Sequence, residues 1–463
     1  MSSITAPAYD PTSTAQALAQ KSTAAAQQNL TTQTKALSAT SAALTKLSGM
    51  ISAFQSSLLG LTGASKTMLA QSATLSDSSF GSASANGRAV AGSYDFFVEQ
   101  IATAGKTTYS NLSDTTGITA SPGTLTVKLG GASGIGIDVD LAAAAADGTL
   151  TVRELAAAIN NATGNGGKVA ASVVTIGTNS QLVLTSTQTG AATGISLDLL
   201  KMDPASSLTA ALQTNVSPIT PQDAVVYVGA HSGTPVTQPS NTFTNVDGLS
   251  VTFTKAQAFG DPNLTVTVKT DTSTTTARAQ SFVDAYNKLK TAVDALVAPA
   301  NGNTGEAAGA FAGDASIKAL QSRMVSLLRP ATGVPLASFG ITFQRDGSLG
   351  LDPSRLSKQL ALTPDGLDRV LGSTAPGGAS GVATVLNTYL NQWGGGTGWI
   401  QHRQDATTKL QSALASRQDA LDRSYDAAYG RYLKQFTDLQ SLQSTMNSNV
   451  SMFDALFGNA KSN

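Results

Sequence analysis

Residues 425–457 read YDAAYGRYLKQFTDLQSLQSTMNSNVSMFDALF. Tyr425, Tyr432, Leu439, Met446 and Phe453 recur every seven residues. Tyr429, Phe436, Val450 and Phe457 each follow a member of that series by four, and only Gln443, beside Leu442, breaks the second series. Alternating steps of three and four set these side chains on one stripe of an α-helix. Leu410, Leu414 and Leu421 carry the stripe upstream with a small shift of register, as a stutter does. No Pro lies between Gln401 and Phe457, and Gly430 is the one interior Gly. At about 1.5 Å per residue the spacing predicts a rod roughly 85 Å long. A single apolar stripe on such a rod requires a partner.

A matching stripe stands near the other end of the sequence. Leu30, Leu37, Leu44, Ile51 and Leu58 are consecutive heptad positions, and Leu47, Phe54 and Leu61 fill the companion positions. The pattern predicts two arms of one antiparallel coil, with everything from about 63 to 400 hung between them. The alternative is that each helix packs on its own domain. Shared length, period and terminal placement favour the pair.

At 463 residues the chain exceeds a single core, and three or four domains are expected. Apolar content of 41% is enough to fold, while aromatic content of 5% and charged content of 13% leave much of the chain to Ala, Ser, Thr and Gly, a mix suited to extended assemblies. Net charge is zero. Residues 77–271 carry 8 basic and 14 acidic side chains, and residues 401–463 carry 7 and 6. No segment is basic enough to hold a phosphate backbone, so nucleic acid is not an expected partner. The absence of Cys excludes disulfides, thiolate catalysis and Cys-based metal sites. It also fits a chain that passes unfolded through an export channel. The opening MSSITAPAYD has neither a basic nor an apolar region of the kind a Sec signal needs. No run of eighteen apolar residues exists, so no membrane insertion is expected.

Residues 1–29 are nearly all small or polar, and are expected not to order alone. A Ser/Thr/Ala linker is expected from the end of the first helix to about Gly87. Strands begin near Ser93, where Tyr94, Phe96 and Val98 alternate with Asp95, Phe97 and Glu99. Strand patterns at 124–129, 135–141, 169–176 and 181–187, with one helix at 152–162, make a compact unit. Further strands at 224–228, 249–253 and 264–268 suggest that this unit is inserted into a second β domain. Helices return at Ala277, with Phe282, Tyr286, Leu289, Val293 and Leu296 on one face, and Ile317, Leu320, Met324 and Leu328 on another, opened by Asp314. Residues 339–351 read as a hairpin turning at Asp346-Gly347. The expected fold is α+β multidomain: coiled-coil arms (1–62 with 400–463), a mainly helical domain (63–92 with 276–399), a β-rich domain (93–120 with 205–275), and an inserted β-rich domain with one helix (121–204).

Several stretches resemble one known family, the flagellar hook-associated protein 2 or filament cap family. GSYDFFVEQIATAGKTTYSN at 92–111 resembles its first interior strand, and residues 151–195 resemble the module shared by flagellin and hook proteins. The most specific matches are ARAQSFVDAYNKL at 277–289 and FGITFQRDGSLGLDPSRL at 339–356, with YGRYLKQFTDL at 429–439 fitting the C-terminal coil. The first thirty residues lack the family's acidic, Leu-rich pattern. The resemblance implies a secreted, extracellular protein at the flagellar tip that guides flagellin into place and prevents its loss. It implies as partners flagellin, the proteins of the hook–filament junction, an export chaperone before secretion, and further copies of itself in a closed ring of about four to six. Assembly is then expected to run through Leu30, Leu37, Leu44, Leu47, Ile51, Phe54 and Leu58 on one arm, and Tyr425, Tyr429, Tyr432, Phe436, Leu439, Met446, Val450 and Phe453 on the other.

Residues that carry chemistry are sparse. His231 and His402 are the only histidines, far apart and without a second ligand pattern, and both are expected to face solvent. GASGIGID at 131–138 has no GxGxxG and lies between strands, so it is not a phosphate loop. Asp138 and Asp140 point the same way on a strand, and a solvated face is expected there rather than a cation site. No Ser sits in GxSxG. No enzyme activity, cofactor or metal is expected. A surface adhesin that binds through its acidic β domains is the alternative reading.

Overall fold

The computed structural model describes residues 10–457 except 113–115, 118–122, 132–133, 143, 146–148, 178, 230, 232, 304 and 330–334. Part of the opening segment read against a Sec signal, 1–9, and part of the glycine loop at 131–138 lie outside the described residues. The chain divides into two compact units, 1–66 with 276–463, and 67–275.

The first unit is helical. α1 (Pro11–Thr62) opens with Pro in its first turn, and the Asp10 carboxylate accepts the N–H groups of Thr12 and Ser13 at 3.3 and 2.9 Å. Residues 11–29, expected not to order alone, are helical where a neighbouring helix covers them. Ala15 and Ala19 are fully buried, because small side chains let a neighbouring helix approach closely. α9 (Trp399–Phe457) runs antiparallel to α1: the Gln27 and Gln418 amides exchange hydrogen bonds at 3.1 Å, and Leu30, Leu37 and Leu414 form a buried cluster flanked by Leu421. Further along α1, Leu44, Leu47, Ile51, Phe54 and Leu58 are buried. There the neighbour is α8 (Val382–Gly394), where Gln55 donates to Asn387 and Asn391 at 3.0 and 2.7 Å.

Among the described residues the same unit also holds α4 (Thr272–Val297, whose first turn belongs to the second unit), α5 (Ala315–Leu327), α6 (Pro353–Leu362) and α7 (Gly366–Leu371). A hairpin, 341–343 paired with 349–351, docks on α4. The Asn287 side chain donates to the Leu349 carbonyl and accepts its N–H, at 2.8 and 2.7 Å, and the Tyr286 hydroxyl donates to the Gly347 carbonyl at 3.4 Å. Gly347 has φ 80°, which the turn requires, and a Cβ there would meet the Lys290 side chain at 3.1 Å. Burial pushes the Tyr286 hydroxyl well above its usual pKa.

The second unit is β-rich and nested. β1 (Gln71–Leu75), β2 (Gly81–Ala85) and β3 (Gly92–Gln100) lead in. A nested block follows: β4 (Ala104–Leu112), β5 (Thr116–Gly117), β6 (Thr124–Leu129), β7 (Ile135–Asp140), β8 (Thr149–Leu150), α2 (Val152–Asn161), β9 (Val169–Ile176), β10 (Asn179–Thr189), β11 (Ile195–Asp198), α3 (Ser207–Gln213) and β12 (Val216–Ile219). β13 (Ala224–Val228), β14 (Pro235–Gln238), β15 (Thr242–Phe243), β16 (Leu249–Phe253) and β17 (Leu264–Thr270) return to the outer block. Its sheets run β1-β17-β3-β13-β14 and β15-β16-β2, around a core that includes Phe96, Val98, Phe243, Phe253 and Val266. The nested block has sheets β12-β4-β10-β9 and β11-β6-β7 around Leu125, Ile137, Leu155, Ile159 and Leu182. Burial raises the Tyr109 hydroxyl there to about 12.

Two boundaries differ from the sequence reading. Residues 71–85, expected as linker within the helical domain, are strands paired to β17 and β16. Their sequences, QSATL and GSASA, alternate mostly between small residues, so the period of two carries little apolar contrast. Residues 104–112 and 205–219, expected in the outer β domain, belong to the nested block: β4 pairs with β10 and β12, and Leu208 and Leu212 of α3 lie in its core.

Candidate assembly site

The apolar stripe of α9 meets two environments. Tyr425, Tyr429, Tyr432 and Phe436 are half-buried, and the first two rings stack at 6.4 Å. The Gln27–Gln418 pair sets Pro11 opposite about Lys434, so the remaining 23 or so residues of α9 overhang the described part of α1 by roughly 35 Å. Leu439, Met446 and Phe453 are 41%, 51% and 60% exposed, and Leu442 and Val450 are exposed with them. This corrects the expectation that the whole stripe closes on the N-terminal arm. Periodicity specifies that a face needs cover, not where cover ends. Upstream, Leu410 is exposed while Leu414 is buried. From Leu439 to Phe453 the overhang carries no charged residue, its flanks being Ser, Thr, Asn and Gln. Register in coiled coils is commonly set by flanking charges, and this stretch has none. The described part of Phe457 is its backbone alone.

Near its start, α9 is tied to the helical body by a charge pair that the sequence does not announce. Asp314 caps α5, accepting the Ser316 and Ile317 N–H groups at 2.9 and 3.1 Å, and it also accepts both terminal nitrogens of Arg403 on α9. Burial works to raise the Asp314 carboxyl, but the Arg403 guanidinium and the backbone donors outweigh it and hold the group below its ordinary 3.8. The cap was legible in the sequence; the Arg403 contact spans 89 positions and was not. We predict that Asp314→Asn keeps the cap but costs the first unit about 1–2 kcal/mol at neutral pH through loss of the charge pair. A depressed carboxylate pKa stabilises above its unfolded value, and the contribution is lost as pH falls through the folded value. The difference in thermal midpoint between parent and Asp314→Asn therefore closes below about pH 4. An equal difference at neutral and acid pH contradicts the clamp.

The remaining chemical candidates have structural settings. His402 is exposed. His231, expected to face solvent, instead packs on Phe97 and Tyr227 with centroids at 4.4 and 4.6 Å, because Phe97 lies on the face of β3 opposite the core and needs cover. Asp138 accepts from the Thr126 hydroxyl at 2.5 Å and pairs with Lys201 at 3.3 Å; the Thr126 bond chiefly lowers its pKa. Among the described residues no group of three or more His, Asp or Glu is placed to hold a metal, and no helix is long and apolar enough to cross a membrane.

Comparison with known proteins agrees with this arrangement. Residues 8–105 match the family described as Flagellar hook-associated protein 2 N-terminus, and residues 221–448 match its C-terminus. The nested block lies between the two matches. The lateral flagellar hook-associated protein 2 of Vibrio parahaemolyticus is 32% identical over 390 residues, covering 82% of this chain and 85% of that protein. The flagellar hook-associated protein 2 of Escherichia coli K12 is 28% identical over 439 residues, covering 89% and 88%. Among solved structures, the three-domain crystal structure of the flagellar cap protein from Escherichia coli superposes with a TM-score of 0.57 at 25% identity, covering 81% of this chain and 99% of that one. Terminal helices around nested β-rich blocks, matched at both ends of the sequence, thus place the chain in the flagellar hook-associated protein 2 family, the structural caps at the extracellular tip of the flagellar filament.

Proposed function

We propose that this chain caps the growing end of a flagellar filament by seating the overhang of α9 against flagellin, and that several copies close into a ring through the helical body. The exposed, charge-free stripe from Leu439 to Phe453 is the observation that carries the reading. A monomer gains nothing from leaving these side chains in water, since each large one stabilises by roughly 1.5–3 kcal/mol when fully covered. A filament end built from helices supplies such cover. The lack of charge suits a cap that must shift among neighbouring subunits as each flagellin is added, because no fixed pair has to be broken.

A cap that meets several flagellin subunits at once needs several copies joined head to tail, and such contacts must close. Residues 276–399 carry 10 basic and 8 acidic side chains, so copies joined there repel one another little. Before secretion the same stripe is the surface an export chaperone would cover, and at the base of filament growth it would meet the hook–filament junction proteins. Native mass spectrometry of the full chain tests the ring: a single closed species of about four to six copies is expected. A continuous ladder of sizes contradicts closure.

A further inference from the structure

Among the described residues, four asparagine side chains close backbone edges. In each, Nδ2 donates to one residue's carbonyl and Oδ1 accepts the same residue's N–H: Asn165 at Val169, Asn160 at Ala171, Asn241 at Ala102 and Asn287 at Leu349, all between 2.6 and 2.9 Å. The amide stands where a neighbouring strand's peptide would stand. Open sheet edges recruit other strands, and proteins commonly block them.

Two of the four serve β9, the outer strand of β12-β4-β10-β9. Val169 and Ala171 therefore turn their backbone groups outward. In an antiparallel ladder the direction alternates, so Val173 and Thr175 also face outward while Ser172, Val174 and Ile176 bond to β10. The amides stop at Ala171, and no described residue hydrogen-bonds to the outward backbone of Val173 or Thr175. Three other outer strands carry such blocks in their own sequence: β7 has Asp138 and Asp140, β12 has Pro218, and β14 begins with Pro235. The far half of β9 carries neither charge nor Pro, and its Val174 and Ile176 are 45% and 61% exposed.

We propose that this open edge pairs antiparallel with the same edge of a second copy, about a two-fold axis at Val174. The segment is self-complementary about that point. Val173 of each copy faces Thr175 of the other and the two exchange backbone hydrogen bonds. Val174 meets Val174 as a non-hydrogen-bonded pair, and Ser172 faces Ile176. The next step sets Gly177 against Ala171, whose backbone Asn160 already holds, and the pairing ends there. No charged residue occurs from Val169 to Val183, so two copies bring no like charges together. The contact is isologous, and is independent of the head-to-tail ring and its residues.

The chain has no Cys, so Val174→Cys puts one thiol on each copy. Across a non-hydrogen-bonded pair the Cα atoms lie about 4.5 Å apart, within the roughly 4.4–6.8 Å that a disulfide spans. Under mild oxidation the full-length variant should run as a covalent dimer, with Leu200→Cys, exposed in the same unit, reporting random collision. The expected yield is several-fold above that control. Adding Thr175→Pro, which removes an outward N–H without touching the backbone bonds to β10, should return it to the control level. In the cysteine-free chain, Thr175→Pro should lower the dimer fraction in sedimentation equilibrium. Equal yields from Val174→Cys and Leu200→Cys overturn the proposal. So does amide protection of β9 that appears on adding flagellin but not on raising the chain's own concentration.

Discussion

Replacing Leu439, Met446 and Phe453 together by Ser is expected to leave the fold intact and abolish filament capping. In most core positions three such changes would unfold a domain. Here the three side chains are 41–60% exposed in the free chain, so little folding free energy is lost with them. What is lost is the area that the filament end would cover. With about half of each side chain still to be buried, the loss is roughly 1 kcal/mol per residue, or about 3 kcal/mol in all. That lowers affinity for the filament end about a hundredfold for each copy, and several copies in one ring multiply the deficit. Cells carrying the triple variant should export flagellin into the medium and fail to swim, while circular dichroism of the purified chain matches the parent. Normal motility would show that the stripe is not the anchor. Loss of export would move the role of this helix to a step before assembly.

The opposite behaviour is expected at Phe54. Its ring is among the largest fully buried side chains, on the part of α1 that packs with Leu47, Ile51 and Leu58 against the helical body. Phe54→Ala removes that volume from a rigid surround and should cost the first unit about 3–5 kcal/mol, among the largest losses a single substitution can cause. The measurement is denaturant unfolding, with amide exchange of α4 to α8 as the local probe. A shift in midpoint no larger than that of Leu442→Ala on the overhang would contradict the assignment of this stretch as core. The two substitutions thus separate two uses of one heptad pattern, packing at one end and assembly at the other.

Much of this was legible in the sequence, for identifiable reasons. The terminal helices declared themselves because a period of seven, sustained by large side chains and free of Pro, has no other regular structure to occupy. The hairpin at 341–351 declared itself through Asp346-Gly347, where only Gly takes φ 80° without strain. What remained hidden shares one feature: it depends on residues distant in the sequence. The stripe of α9 runs from Tyr425 to Phe453, yet past about Lys434 it extends beyond the described part of α1, because there the pairing set by Gln27 and Gln418 reaches Pro11. Asp314 announced a cap but not Arg403. β1 and β2 lacked apolar contrast, and their strand character comes from β17 and β16. The edge-closing role of Asn160, Asn165, Asn241 and Asn287 has no local signature, since Asn in a helix or turn reads as an ordinary polar residue.

The overhang of α9 is the proposed surface that holds the filament end. Electron microscopy of filaments mixed with the purified full chain counts capped ends directly. The parent should occupy most ends, and the Leu439, Met446 and Phe453 to Ser variant, at the same concentration and with its fold verified, should occupy almost none. Equal occupancy by the two proteins would contradict the account.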